Sequence, residues 1–267
     1  MLGELFVTFL RIPGLKKAMW RGWYQILAKR YRGADWTFMN YGFQDDGVPV
    51  LALEAVDEPD RYCIQLYHHV ASALNLEGQR ALEVGCGRGG GAAFVSRYLR
   101  PAHMTGVDLS AEAVAFCTVR HNLPGLDFRK GDAEQLPFES ETFDAVVNVE
   151  SSHCYPSLPA FFAEVRRVLK PGGHFLYADL HDSSNLPAWK SVLESSGLII
   201  IAQRDITANV LAALDRDSDR KLAVIKRLVP AFLVESFSDF AGIRGSKLHE
   251  GFRSGSLAYC SFVAVKR

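Results

Sequence analysis

From residue 62 onward, short apolar runs alternate with segments whose apolar positions recur at helical spacing. The runs predict strands near 81–85, 103–108, 126–129, 143–150, 173–180 and 197–203, and the amphipathic segments predict helices near 62–75, 91–100, 111–121, 159–170 and 185–196. Such an alternation builds a parallel sheet with helices on both faces. A further apolar run, Leu257-Ala-Tyr-Cys-Ser-Phe-Val-Ala-Val265, predicts the last strand. Between Ile201 and Leu257 lie about fifty residues too apolar for a disordered linker, read as helical over 206–214 and again over 220–237. An insertion that follows the carboxyl ends of sheet strands is placed to roof a site there.

Composition narrows the class. The chain has 267 residues, 48% of them hydrophobic, enough for one α/β domain with an added cap. Lys plus Arg and Asp plus Glu both number 30, so the global charge gives no case for a nucleic-acid partner. Five scattered cysteines, Cys63, Cys86, Cys117, Cys154 and Cys260, fit a reduced cytoplasmic protein without a disulfide framework or zinc site. No apolar run approaches the roughly 18 residues of a membrane span, and Leu5-Phe-Val-Thr-Phe-Leu10 lacks the basic lead of a signal peptide.

The stretch before Asp35 differs from the rest. It carries Arg11, Lys16, Lys17, Arg21, Lys29, Arg30 and Arg32 against Glu4 alone, interleaved with Trp20, Trp23 and Tyr24. Such a segment suits peripheral contact with an anionic membrane or a lid over an apolar substrate; an ordinary helix with a solvated basic face fits equally.

The chemistry starts at Ala81-Leu-Glu-Val-Gly-Cys-Gly-Arg-Gly-Gly-Gly91, where a strand runs into glycines and then a helix. A glycine turn there lets a ligand approach the backbone at a helix N-terminus. Asp108 closes the next strand, where a carboxylate takes both hydroxyls of a ribose. Dinucleotides and S-adenosylmethionine share this turn, and Glu83 separates them: an acid there suits a cationic ligand and repels a pyrophosphate. Gly131-Asp-Ala-Glu-Gln-Leu-Pro-Phe138 supplies a polar turn for an adenine amino group. The run 143–150 and the Leu169-Lys-Pro-Gly-Gly173 turn complete the set. The chain also lacks the Tyr-x-x-x-Lys pattern of short-chain oxidoreductases.

Together these motifs resemble the class I S-adenosylmethionine-dependent methyltransferases over about residues 60 to 205. The resemblance implies a Rossmann-like, doubly wound seven-stranded α/β sheet, six strands parallel and the last antiparallel, with a helical lid at the N-terminus and a helical cap before the last strand. The parts are then a lid or acceptor segment (1–60), the cofactor-binding core (61–205), the cap (206–256) and the last strand (257–267). It implies that Glu83, Gly85 and Gly87 lie against the methionine end of the cofactor, that Asp108 holds the ribose with Leu109 beside it, and that Asp132 and Ala133 flank the adenine. Glu134, Val149 and Glu150 join that set, and Tyr41, with Asn40, belongs to a lid over the cofactor. The segments Phe38-Met-Asn-Tyr-Gly42, Leu53-Glu-Ala-Val-Asp-Glu-Pro59, Asn148-Val-Glu-Ser-Ser-His-Cys-Tyr-Pro156 and Tyr177-Ala-Asp-Leu180 are more closely similar to the mycobacterial phthiotriol and phenolphthiotriol dimycocerosate methyltransferases. That resemblance implies O-methylation of a lipid, polyketide, glycolipid or similar natural product, a small hydrophobic or glycosylated acceptor, with S-adenosylhomocysteine as by-product.

His153, just past the fourth predicted strand, is the candidate general base, since an imidazole of ordinary pKa near 6.5 works at neutral pH. Asp179, near the end of the next strand, is the candidate partner that fixes its tautomer. A helix-capping role for each is the plainer alternative, and His181 with Asp182 competes as base and orienter. Trp20, Trp23, Trp36, Phe38 and Phe43 are candidate walls of an acceptor pocket. His68 and His69 are adjacent on a helix and diverge by about 100°, and no carboxylates cluster after the fourth strand, so a metal-independent enzyme is expected. Methylation of carbon on a sterol-like, prenyl or quinone acceptor is the alternative chemistry. A non-catalytic membrane-docking protein is a third reading.

Overall fold

The computed structural model describes residues 36–267 apart from Val229. Expectations placed on residues 1–35, the basic segment with Trp20 and Trp23 among them, lie outside the described residues. The strands are β1 (Arg80–Val84), β2 (His103–Asp108), β3 (Leu126–Lys130), β4 (Phe143–Val149), β5 (Leu169–Asp182), β6 (Leu198–Asp205) and β7 (Leu257–Lys266). They form one seven-stranded sheet in the order β3-β2-β1-β4-β5-β7-β6. The pairs β1–β2, β1–β4, β2–β3 and β4–β5 are parallel, and β7 runs antiparallel to both β5 and β6. Six strands thus share one direction and the seventh opposes them, as the resemblance implied.

The helices are α1 (Arg61–Ala71), α2 (Gly90–Phe94) continued by a π turn over Val95–Leu99, α3 (Ala111–Arg120), α4 (Leu158–Val168), α5 (Leu186–Ser195), α6 (Thr207–Leu228), α7 (Val234–Phe240) and α8 (Lys247–Ser254). Period-two alternation along the strands feeds two cores. Ala145, Val147 and Val149 of β4 pack with Leu66 and Val70 of α1 and Val210 and Leu214 of α6. Val146 joins Phe161 and Val165 of α4, Phe175 and Tyr177 of β5, and Trp189 of α5 on the other side. Serines start three helices: Ser110, Ser157 and Ser246 each accept a hydrogen bond on Oγ from the backbone N–H three residues on.

Two elements depart from the pattern-based expectation. Strand β5 begins at Leu169, opposite Phe143, and takes the Pro171-Gly-Gly173 turn in as a register irregularity before His174 pairs with Ala145. The helix expected to break between 214 and 220 instead runs unbroken for 22 residues as α6. Asp217 is buried there and bound by Arg220 three residues on, while Ser218 Oγ accepts from Arg244 N, so the polar run is satisfied inside the helix. No helix among the described residues is long and apolar enough to cross a membrane.

The chain leaves β1 for β2 on one side and, after β3, returns to β4 on the other. Strand order therefore reverses at β1, and a crevice opens beyond the carboxyl ends of β1 and β4. Gly85, Asp108 and Glu150 each follow or end a strand at that edge.

Candidate active site

The turn after β1 is held from below: Gly85 N and Cys86 N both donate to Val107 O, at 2.8 and 3.0 Å. Gly85 has φ +74°, and a Cβ there would stand 1.8 Å from Ser151 Oγ, so the close approach of the Ser151 loop requires glycine. Asp108 stitches β2 to this turn. Its Oδ2 accepts from Gly87 N and its Oδ1 from Ser110 N, both at 2.9 Å, against an upward pull of burial on its pKa. Each oxygen keeps lone-pair capacity for a further donor.

The crevice is lined by Gly85, Gly87, Asp108, Leu109, Asp132, Ala133, Glu134 and Glu150, with Ser151, Cys154 and Tyr155 at its side. Asp132 Oδ1 accepts from Glu134 N at 3.0 Å, and Glu134 Oε1 accepts from Ser157 N at the start of α4. Its acceptor groups suit a ligand rich in hydroxyl and amino donors. The one guanidinium among the described residues of its lining, Arg88, lies over the Phe116 ring at 3.8 Å and donates to Trp36 O, an arrangement poorly suited to a pyrophosphate. These residues fit the nucleoside and amino-acid parts of S-adenosylmethionine.

Glu83 does not line this crevice. It is 1% exposed beneath the glycine turn and accepts from Tyr67 Oη at 2.6 Å, while its Oε2 has no partner among the described residues. Burial pushes its carboxyl up to about 8, with the Tyr67 hydrogen bond opposing. Tyr41 joins Gly85, Gly87 and Glu150 around a narrower pocket beside the crevice: its N–H donates to both oxygens of Glu150, at 3.2 and 2.8 Å, and its ring meets Phe252 edge-on. That pocket, lined also by Met39, Val149, His153 and Phe240, shares Glu150 with the crevice. It shares Met39, Tyr41 and Phe240 with a second cavity between the 36–41 segment and the cap helices α6 and α7. Glu150 takes φ +48° where β4 hands over to the next loop, and burial, then Asp179, raise its carboxyl to about 8.

His153 Nδ1 stands 2.7 Å from Asp179 Oδ1, although the two residues are 26 apart in sequence. Asp179 is fully buried and accepts also from Ser152 Oγ, His153 N and Leu180 N. Burial would raise its pKa, but the charge and hydrogen bonds of His153 hold it below the usual carboxylate value. His153 is the mirror image. Burial pulls its pKa down, yet with 36% of the side chain exposed that pull is partial, and the Asp179 carboxylate raises it well above 6.5. The ordinary imidazole value expected from sequence is thereby corrected upward. With Nδ1 given to Asp179, Nε2 is the ring nitrogen left for a ligand.

His181 is no rival. It packs against Trp189 and Phe262, with Tyr177 Oη 3.5 Å from its Nε2, and lines none of the three cavities described above. Asp182 is exposed and caps the turn at Ser184. Trp36 and Phe38 line the second cavity, whereas Phe43 stacks on His69 with ring centroids 4.5 Å apart. Cys154 is only partly buried and lines the crevice. Two further histidines have acidic companions that spacing did not reveal, His103 with Asp127 at 2.5 Å and His249 with Asp215 at 2.9 Å. Met39, Lys221 and Phe240 also escaped the sequence reading; the apolar spacing of Val224, Ile225, Phe237 and Phe240 was the available signal for a cavity wall there.

Comparison with known proteins agrees with this geometry. A family model described as a methyltransferase domain matches residues 82–177. The phthiotriol/phenolphthiotriol dimycocerosates methyltransferase of Mycobacterium leprae is 44% identical over 262 residues, covering 97% of each chain. A fatty-acid O-methyltransferase of Mycolicibacterium smegmatis is 41% identical, over 91% of this chain and 88% of that one. Among solved structures, geranyl diphosphate C-methyltransferase from Streptomyces coelicolor, crystallised with Mg2+, geranyl diphosphate and S-adenosyl-L-homocysteine, shares the fold at a TM-score of 0.61 and 21% identity, over 85% of this chain and 89% of that one. With such identity along nearly its whole length, this chain belongs to the S-adenosylmethionine-dependent methyltransferases, in the family of the phthiotriol/phenolphthiotriol dimycocerosates methyltransferases.

Proposed function

We propose that this methyltransferase acts on a hydroxyl oxygen of a lipid-like acceptor, with His153 as general base and Asp179 as the residue that positions it. The observation that carries the reading is the 2.7 Å His153–Asp179 pair, set on a pocket that shares Glu150 with the cofactor crevice. One relative's name specifies both O-methylation and a fatty acid, which agrees with the apolar second cavity.

S-adenosylmethionine supplies an electrophilic methyl group and leaves as S-adenosylhomocysteine. In the crevice, Gly85 and Gly87 would meet its methionine end, Asp108 with Leu109 its ribose, and Asp132 with Ala133 its adenine. Glu83 supports the turn from beneath. The 36–41 segment, tied through Tyr41 N to Glu150, walls the reacting edge. Much of the acceleration comes from holding the acceptor oxygen in line, worth up to about 7–11 kcal/mol. His153 Nε2 takes the acceptor proton, and Asp179 stabilises the imidazolium that forms, adding about 10²–10⁴-fold.

The test is incubation with methyl-labelled S-adenosylmethionine and a lipid extract of the source organism, followed by mass spectrometry, beside His153→Ala. A labelled methyl ether that falls about 10²-fold or more in the variant is the expected result. Label on carbon would replace the reading with C-methylation. Equal ether from both proteins would remove His153 as base.

A further inference from the structure

The second cavity is apolar along most of its wall, where Val224, Ile225, Phe237 and Phe240 line it together with Trp36 and Met39. Its lining also contains two cations, Arg220 and Lys221, on consecutive residues of α6. Arg220 is held by a bidentate pair: its Nε and Nη2 donate to the Asp217 carboxylate at 2.6 and 2.8 Å, and Asp60 forms a looser ion pair 3.7 Å from Nη1. Lys221 is held differently. Its side chain is only 14% exposed, and its ammonium donates to Tyr41 O at 3.2 Å. Asp217, already bidentate with Arg220, stands 3.8 Å away, beyond hydrogen-bond distance.

An ammonium has three donors, and burying its charge is costly unless it is paired and hydrogen-bonded. Lys221 makes one hydrogen bond and one 3.8 Å ion pair, so its ammonium keeps donor capacity toward a cavity that is apolar along most of its wall. It also stands close to the reacting edge, because Tyr41 accepts from Lys221 through its carbonyl and donates to Glu150 through its N–H at 2.8 Å.

We propose that Lys221 is a specificity-determining residue that selects acceptors bearing a carboxylate beside the methylated hydroxyl, at the polar end of an apolar chain lying along Ile225, Phe237 and Phe240. The proposal rests on the reading that this cavity takes the methyl acceptor. A neutral hydroxyl offers Lys221 a dipole, whereas a carboxylate offers a full charge and two acceptor oxygens, and charge-assisted hydrogen bonds are roughly twice as strong as neutral ones. The two carboxylates at this end of the cavity, Asp60 in its lining and Asp217 beside it, are both paired with Arg220, at 3.7 and 2.6 Å. Glu150, raised to about 8 by burial, is mostly protonated at neutral pH, and the Asp179 carboxylate is engaged by His153 Nδ1 at 2.7 Å.

The test uses two matched probes, 3-hydroxydecanoate and 1,3-decanediol, titrated by calorimetry into the full-length protein saturated with S-adenosylhomocysteine. Wild type is expected to bind the carboxylate about tenfold or more tighter than the diol. Lys221→Met should abolish that preference with diol affinity little changed, and Lys221→Arg should retain most of it. S-adenosylhomocysteine affinity reports whether each variant is folded, and the Arg variant carries the comparison if the Met variant is not. Equal affinity for both probes in wild type, or a carboxylate preference that survives in Lys221→Met, would overturn the proposal. Failure of both probes to bind, with S-adenosylhomocysteine bound normally, would overturn the reading of the cavity itself.

Discussion

His153 holds its Nδ1 against a carboxylate that has no solvent exposure, which makes its ring a stronger base than a free imidazole and a poorer one at low pH. A base must be unprotonated to act. With its pKa raised well above 6.5, the acidic limb of the kcat/KM profile is expected to inflect above that value, with rate lost as pH falls through it. Asp179→Asn removes the charge that raises His153 and leaves the burial that lowers it. The inflection should move down to about 6.5 or below, together with a fall in kcat. An inflection unmoved by that change would show that another group titrates. Both members of the pair stabilise the fold, with opposite pH dependence. The share from His153 is fully present below 6.5 and is lost as pH rises through its raised value. The share from Asp179 is present above 3.8 and is lost as pH falls through its depressed value.

At the scale of elements, the loop–helix junction at α4 ties the crevice to the core. Ser157 Oγ accepts from Ala160 N at 3.3 Å, and Ser157 N donates to Glu134 Oε1 at 3.1 Å. Ser157→Ala removes the cap and keeps the N–H, so urea unfolding should show a loss of about 0.5–2 kcal/mol. The cap helices show how context overrides local signal. Asp215-Arg-Asp-Ser-Asp219 reads as a break, yet α6 crosses it because Arg220 and Arg244 N satisfy Asp217 and Ser218 within the fold. That continuity carries Lys221 to the carbonyl of Tyr41, 180 residues earlier in the chain.

At the scale of the molecule, one crevice at the reversal of strand order collects Gly85, Asp108, Asp132 and Glu150 from the carboxyl ends of four separate strands. A ligand that binds only the assembled crevice stabilises the whole fold, by about 2.7 kcal/mol at 100 times its Kd. S-adenosylhomocysteine at that excess is therefore expected to raise Tm by roughly 5 °C or more in a thermal-shift assay, and NADH to leave it unchanged. The sequence by itself determined what local spacing encodes. The apolar runs marked the strands, and because glycine turns and terminal acids sit within a few residues of those strands, Gly85, Gly87, Asp108, Asp132 and Glu150 could be placed at the carboxyl edge. Partnership between distant side chains is not encoded in spacing. Only the packed sheet decided that Asp179 meets His153 while His181, two residues on, packs against Trp189, that Glu83 lies beneath the turn, and that the cap brings Lys221 to the same cavity as Tyr41. Those outcomes depend on strand register and helix placement, which are set by the burial of both faces of the sheet together.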